Sequence, residues 1–335
     1  MADYMVRASS LHGIRPTIEK QGGNADALLQ QVGLSEAELD PESWISYRSF
    51  LLLLESAALS TGCSHLGLEL SRHQDIGILG TLGFIIQQAP DLRTALRELT
   101  THFSHHNQGA EVSLSVDGNI AQWRFTCKLE GKVPISQQAD LVASVGVGLI
   151  RLLLKPNWSP NAVYFSHAPP QDLKPYKKCF KCPVFFNWDS SYVTFDTAIL
   201  DSPISESNPQ LLRVLQEHLH VMQSKFPNDY CGQVRYLFQQ AMTTGDCSIE
   251  RVANSLAINK RTLQRQLKTH DTSYKNLLDE VRFDIAKGYL LESGGSLTAL
   301  ADMLCYSELS AFSNAFRQRH NVSPREWKKQ HATLM

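Results

Sequence analysis

Arg261, Gln264, Arg265 and Lys268 are separated by three and four positions, which brings their side chains onto one face of a helix. The chemistry of such a set is recognition rather than bond-making. A guanidinium can address O6 and N7 of guanine with two hydrogen bonds, and a glutamine amide can do the same for adenine. Lys260 and Lys268, at the two ends of the expected helix, suit backbone phosphates instead. The same side chains would also make an ordinary solvated basic face, so the surrounding pattern has to decide.

That pattern is doubled. Ala253 and Ala301 lie 48 positions apart, Leu256 and Leu304 keep the same offset, and Leu263 with Phe312 and Leu267 with Phe316 keep one of 49. An apolar skeleton repeated at near-constant spacing is one supersecondary unit used twice. The skeleton fits a short helix, a tight turn and a second helix that enters the DNA major groove. The first unit spans about 248–268: Ser248 and Asn259 are the expected N-caps, Ala253 is small where the helices cross, and Leu263 and Leu267 face inward. The second unit spans about 296–319 and is chemically weaker. Its outward residues include Leu309, which can meet a thymine methyl, Asn314, which can read adenine, and Ser310 and Ser313. Arg317 is the one basic group among these outward residues and is assigned to phosphate. This second helix could equally lie across the DNA backbone without reading bases. Between the units, 274–291 has a helical period and ends at Gly294-Gly295. At roughly 1.5 Å per residue it makes a rod near 26 Å, against about 34 Å between successive major grooves on one face.

The chain has 335 residues, is 43% hydrophobic and carries a net charge of −1, which excludes an indiscriminate polycation. The charge is unevenly spread: 245–335 carries +3 and the remainder −4. Seven scattered cysteines and a start without an apolar core segment fit free thiols, a reducing cytoplasm and no export signal. The most apolar run, 141–154, is too short to span a bilayer and reads as a buried helix.

The segment 230–333 resembles the AraC/XylS family of bacterial transcription regulators. The likeness rests on Thr262-Leu263-Gln264-Arg265-Gln266-Leu267, Ala311-Phe312-Ser313-Asn314-Ala315-Phe316-Arg317 and Asn321-Val322-Ser323-Pro324-Arg325-Glu326-Trp327. Two positions depart from the pattern. Cys305 stands where the family usually has Gly, and Asn314 where it often has Arg. The front half is similar to the ligand-binding and dimerisation domain of an AraC subgroup, through Gly77-Ile78-Leu79-Gly80-Thr81-Leu82-Gly83, Phe165-Ser166-His167-Ala168-Pro169-Pro170 and Leu200-Asp201-Ser202-Pro203.

The elements of that front half read as helices over 25–32 and 50–59, the latter apolar nearly all round and so expected to be buried, with a helix start at Asp40-Pro41 and another capped by Asp91. Asp117-Gly118 marks a hairpin between 111–116 and 120–127, and 163–165, 184–186 and 192–195 are further strands of an antiparallel set. The expected architecture is therefore an α+β N-terminal sensor domain plus an all-α C-terminal domain with two helix-turn-helix motifs joined by a linker helix. Its divisions are 1–208, a linker helix and linker over 209–229, and 230–335. Trp123, Phe125, Tyr164 and Phe165 are candidates to line an effector pocket, though aromatic strand residues are more often plain core.

Two constellations tempt other readings. His102, His105 and His106 include an i, i+4 pair, but no further ligand is evident. Cys179-Phe180-Lys181-Cys182 offers two of the four ligands a structural zinc needs. No nucleophile elbow or phosphate-binding glycine loop is present. The expectation is a non-enzymatic regulator without cofactor or metal. Its partners would be double-stranded promoter DNA, RNA polymerase, a small-molecule effector and a second copy of itself, with no membrane. The rivals are a dimeric regulator that needs no ligand, and an alkyl-transfer repair enzyme fused to the same DNA-binding module.

Overall fold

The computed structural model describes residues 4–204, 207–208, 210–216, 230–256, 258–292 and 296–331. They fall into two compact units, within 2–225 and 226–335.

In the first unit, β1 (Met5–Arg7) is followed by α1 (Ile14–Lys20), α2 (Ala25–Gln31), β2 (Trp44–Ser46), α3 (Tyr47–Thr61), α4 (Leu66–Ser71), α5 (Thr81–Gln87) and α6 (Leu92–His102). Then come β3 (Ala110–Asp117), β4 (Ile120–Cys127), α7 (Ser136–Leu153), β5 (Ala162–Tyr164), α8 (Lys174–Phe180), β6 (Val184–Phe185) and β7 (Ser191–Asp196). Local chemistry sets many of these bounds. Asn24 accepts from the Ala27 amide at 3.0 Å and Asp91 from that of Thr94 at 2.7 Å, each satisfying a donor that the first turn leaves open. Asp117 pairs with Ile120, and Gly118 takes φ +55° to close the hairpin between them.

The main sheet runs β3-β4-β7-β5-β6, and β1 pairs with β2 in a separate ribbon. Ala121, Trp123 and Cys127 of β4 are buried while Thr126 is exposed, so one face of the sheet is covered. Helix α7 is part of that cover, burying Leu141, Val147 and Ile150. Gly146 is required at the crossing, because a Cβ there would stand 2.5 Å from the Trp123 ring.

Three expectations are corrected. The strands are not all antiparallel: β5 and β6 run parallel, joined through α8, as a parallel pair needs a crossover. No helix starts at Pro41; a 3-10 turn at Glu36–Leu39, begun by a Ser35/Glu38 capping box, ends there and the chain passes into β2. The run 50–59 is not buried all round, since Leu59 at the end of α3 is 85% exposed. The ribbon of β1 and β2 was not anticipated, because three-residue strands are too short to show a period.

A polar cluster sits inside this unit. Asp140 on α7 is fully buried, accepts from the Tyr176 hydroxyl at 2.5 Å, and lies 3.1 Å from His167 Nε2. Burial works against charge on His167, but the bond to Asp140 and its charge outweigh burial and raise the imidazole. The His167-Ala168-Pro169-Pro170 segment is thus tied to α7, in keeping with a structural role. The chain beyond β7 folds back: Arg93 pairs with Asp201 at 2.9 Å, and the Ile204 amide donates to the Pro90 carbonyl at 3.2 Å. A helix, α9, occupies 210–216. The rest of the expected linker helix and linker over 209–229 lies outside the described residues.

The second unit is helical in every described element: α10 (Tyr230–Thr244), α11 (Ile249–Ser255), α12 (Lys260–Thr269), α13 (Tyr274–Glu292), α14 (Leu297–Met303), α15 (Leu309–His320) and α16 (Pro324–His331). Its core contains the repeated skeleton itself, with Leu256, Leu263, Leu267, Leu304, Phe312 and Phe316 all fully buried. The expected stop at Gly294-Gly295 lies outside the described residues.

Candidate nucleic-acid interface

Helices α11 and α12 form the first unit. Ser248 caps α11 by accepting from the Arg251 amide at 3.2 Å, and Asn259 caps α12 by accepting from that of Thr262 at 2.9 Å. Leu263, Gln266 and Leu267 are the buried face of α12. Lys260, Arg261, Gln264, Arg265 and Lys268 are all exposed. Ala253 is 1% exposed, which explains the small residue at the crossing. Lys260 is engaged: its Nζ lies 2.8 Å from Glu250 Oε1 across the turn, and that pairing holds the Glu250 carboxyl below its usual range.

Helices α14 and α15 repeat the arrangement. Ser296 caps α14 through the Ala299 amide at 3.1 Å. On α15, Phe312 and Phe316 are buried, Ser310, Asn314 and Arg317 are exposed, and Leu309 and Ser313 are half-buried. Asn321 ends α15 at φ +59°, and a Ser323/Glu326 box starts α16 with bonds of 2.8 and 3.3 Å.

The turn between α14 and α15 explains the departure at Cys305. Its φ is +56°, a left-handed conformation that favours glycine, so the position makes the demand that a family Gly would meet without strain. Two contacts hold it. The Cys247 and Cys305 sulfurs lie 3.2 Å apart, joining the approach to α11 with this turn. Arg282, on α13, donates to the carbonyls of Leu304 and Cys305 at 2.8 Å each and places its guanidinium 4.2 Å over the Tyr306 ring. Sequence reasoning missed Arg282, because nothing local marks an anchor more than twenty positions away from its acceptors. Helix α13 has 19 residues and is therefore about 28 Å long. At its start, Tyr274 donates to the Cys247 carbonyl at 3.0 Å.

In the first unit, the four aromatic candidates separate. Trp123 lines a cavity of about 70 Å³ between the covered face of the sheet and α7, partly open to solvent. Phe125 lines a smaller adjoining cavity with Ala139, Val142 and Tyr192. Tyr164 lies on the other face of the sheet, stacked on Tyr192 at 4.5 Å and on Phe185 at 5.0 Å. Phe165 is fully buried among Tyr176, Phe180 and Phe186 and lines neither cavity. Gln138 and His106 line the larger cavity and were not anticipated. Polar residues of a cavity wall carry no periodic signal.

The other constellations disperse. His102 faces Glu98 at 3.6 Å, while His106 is buried with its Nε2 3.0 Å from Ser10 Oγ. Among the described residues, no three His, Cys, Asp or Glu side chains are grouped to hold a metal. Cys179 meets Ser144 at 3.0 Å, and burial pushes the Cys182 thiol up to about 11, away from the thiolate that redox chemistry needs. No described helix is long and apolar enough to cross a membrane.

Two capped helix-turn-helix units, sharing one skeleton and held at the ends of a single helix, define a DNA-binding regulator. The comparisons with known proteins agree. Residues 22–204 match the family described as the arabinose-binding domain of AraC transcription regulator, N-term, and 252–330 match a helix-turn-helix domain. The chain belongs to the AraC family of transcription regulators. It is 26% identical to the HTH-type transcriptional regulator VirS of Mycobacterium tuberculosis, over 97% of this chain and 96% of that one. It is 22% identical to the ornithine utilization regulator of Pseudomonas aeruginosa, over 93% of each. Among solved structures, the transcriptional regulator CdpR from Pseudomonas aeruginosa aligns at 20% identity with a TM-score of 0.45, over 93% of this chain and 98% of that one.

Proposed function

We propose that this regulator reads promoter DNA chiefly through α12, with Arg261, Gln264 and Arg265 on base edges and Lys260 and Lys268 on phosphates. One observation carries the reading: these five side chains are all exposed on a helix whose opposite face is sealed by Leu263 and Leu267. Helix α15 is the weaker reader, using Leu309, Ser310, Ser313 and Asn314, with Arg317 on phosphate. Its face carries fewer hydrogen-bonding side chains of the kind that discriminate bases. Binding-site selection from random duplex DNA tests this. The expected result is a two-part site with most of its information in one part. Equal information in both would overturn the asymmetry.

The first unit, taken as 1–208, acts as sensor and dimerisation domain, and 209–229 connects it to a DNA-binding domain at 230–335. A small molecule bound in the first unit shifts the equilibrium between placements of the two domains, and one placement favours DNA. The protein works in the cytoplasm as a homodimer, engages RNA polymerase and catalyses no reaction. The matched family is described by arabinose and one relative by ornithine, so a sugar and an amino acid are the classes against which an effector is to be tested. Operator affinity with and without a bound effector tests the control. An affinity that does not move would leave a ligand-independent dimeric regulator as the better reading.

A further inference from the structure

The cavity beneath the sheet has an unusual balance of groups. Its walls are mainly Phe50, Leu99, Val112, Leu141, Val145 and Leu149. Three buried side chains of its wall carry polar atoms short of hydrogen bonds: Trp123 Nε1, His106 Nδ1 and the amide of Gln138. Trp123 is 8%, His106 7% and Gln138 1% exposed. Gln138 meets the Tyr47 hydroxyl, and its amide makes no other hydrogen bond. Other polar groups at the edge are engaged. Gln74 donates to the Ser10 carbonyl at 2.7 Å, and Asn107 accepts from the Gly109 amide at 2.9 Å. Buried polar groups are as a rule fully paired, and three that fall short in the wall of one cavity point to a ligand that completes them.

We propose that this cavity is the effector site and that its ligand is an uncharged, mainly apolar small molecule with one polar head that both donates and accepts, such as a primary amide. The proposal rests on the effector-controlled reading above and narrows it. The Trp123 N–H and the Gln138 NH₂ give donors to an acceptor on the head, and the Gln138 carbonyl takes a proton back. No Asp, Glu, Lys or Arg lines the space, so a carboxylate or ammonium would lose its water without gaining a counter-charge. The imidazole of His106 is held well below its ordinary range by burial, which marks the same intolerance of charge. A sugar fares no better, because most of its hydroxyls would face hydrocarbon. The site thus excludes the pentose of the family's description and the basic amino acid in one relative's name.

The test titrates the full chain with matched neutral and charged probes, benzamide against benzoate and octanamide against octanoate, with L-arabinose and L-ornithine alongside. Tryptophan emission and melting temperature are the readouts. The amides should bind at least tenfold tighter than their acids, with no response to the sugar or the amino acid. Gln138→Met, close in volume, should raise the melting temperature of the free protein by removing an amide short of hydrogen bonds, and should abolish the preference for amide over acid. Trp123→Phe, which removes the N–H, should weaken the amides about tenfold by the melting readout. Tighter binding of an acid, the sugar or ornithine overturns the ligand class. No binding of either amide, or amide binding unaffected by both substitutions, overturns the site. Operator affinity measured with the amide bound separates the two readings. Binding that leaves DNA affinity unchanged sinks effector control but keeps the site, whereas intact DNA binding without any amide response sinks the site alone.

Discussion

Arg282 Nη2 donates to the carbonyl of Cys305 at 2.8 Å, so the long helix α13 holds the turn of the second helix-turn-helix by its backbone. A second donor, Nε, takes the Leu304 carbonyl, and the guanidinium covers Tyr306. These carbonyls lie in the turn just past α14, where no helical amide reaches them. The rod and the second reading head are therefore one mechanical piece.

Removing this anchor should act on both stability and DNA binding. Hydrogen bonds to a charged group are worth about 1.5–3 kcal/mol, and the Arg282 side chain is only 13% exposed, so solvent does little to screen them. Arg282→Ala is expected to lower unfolding stability by about 2 kcal/mol or more. Arg282→Lys, which cannot fork to two carbonyls, should recover less than half of that. Chemical denaturation of the full chain followed by circular dichroism measures it, and a loss below about 0.5 kcal/mol would deny the anchor its role. A footprint on a two-part site should lose protection over the part assigned to α15 first.

Base reading and phosphate binding by α12 can be told apart by one pair of substitutions. Arg265→Ala should cost about 1–3 kcal/mol on the preferred site and relax preference at one position. Lys268→Ala should weaken all sequences alike and flatten the dependence of affinity on salt by about one unit of slope. Both side chains are exposed and neighbour one another on the helix, so exposure alone does not distinguish them. If the two variants give the same specificity profile, the assignment of the reading face is wrong.

The second unit was far more legible in the sequence than the first, and the reason is physical. Leu263, Leu267, Phe312 and Phe316 must be buried at helical spacing whatever else changes, and Ser248, Asn259 and Ser296 stand where a first turn needs an acceptor. The doubling then repeated the signal. In the first unit, Asp117-Gly118 and the alternation of Ala121 and Trp123 exposed a hairpin, because turn chemistry and a period of two are local. The parallel pairing of β5 with β6 was not local, since Val163 meets Val184 only through α8. The cavity was least visible. Trp123 was found by its type, Tyr164 and Phe165 were drawn in by the same argument, and only the strand register separates them onto different surroundings. Gln138 looks like any early residue of a helix until the fold turns it toward Trp123.

The Lys260–Glu250 pair makes a prediction that exposure does not. An exposed pair contributes little to folding, so Glu250→Gln should leave the melting temperature unchanged. It should, however, free the Lys260 ammonium and remove a negative charge beside α12. Affinity for DNA of any sequence should then rise, and its salt dependence steepen, as one more cation becomes available to phosphate. Fluorescence anisotropy on specific and scrambled duplexes at two salt concentrations gives the answer. Weaker binding by Glu250→Gln would mean that the pair orients Lys260 rather than withholding it.

His106 gives the first unit a measurable pH dependence. Burial is the main cause, with the nearby Arg7 charge adding to it, and together they lower the imidazole to about 4 from an ordinary value near 6.5. The unfolded chain therefore binds a proton between pH 6.5 and 4 that the folded chain refuses, so stability is full above pH 6.5 and falls as pH drops through that window. The contribution amounts to roughly 3–4 kcal/mol at most, at about 1.4 kcal/mol per pH unit of that shift. His106→Gln keeps a polar group beside Ser10 but cannot take up the proton. Urea midpoints of the full chain, compared at pH 7 and pH 5, should fall less for His106→Gln than for the unaltered protein. Equal slopes for the two would mean that the imidazole is already protonated in the folded state, and that the cavity tolerates a charge after all.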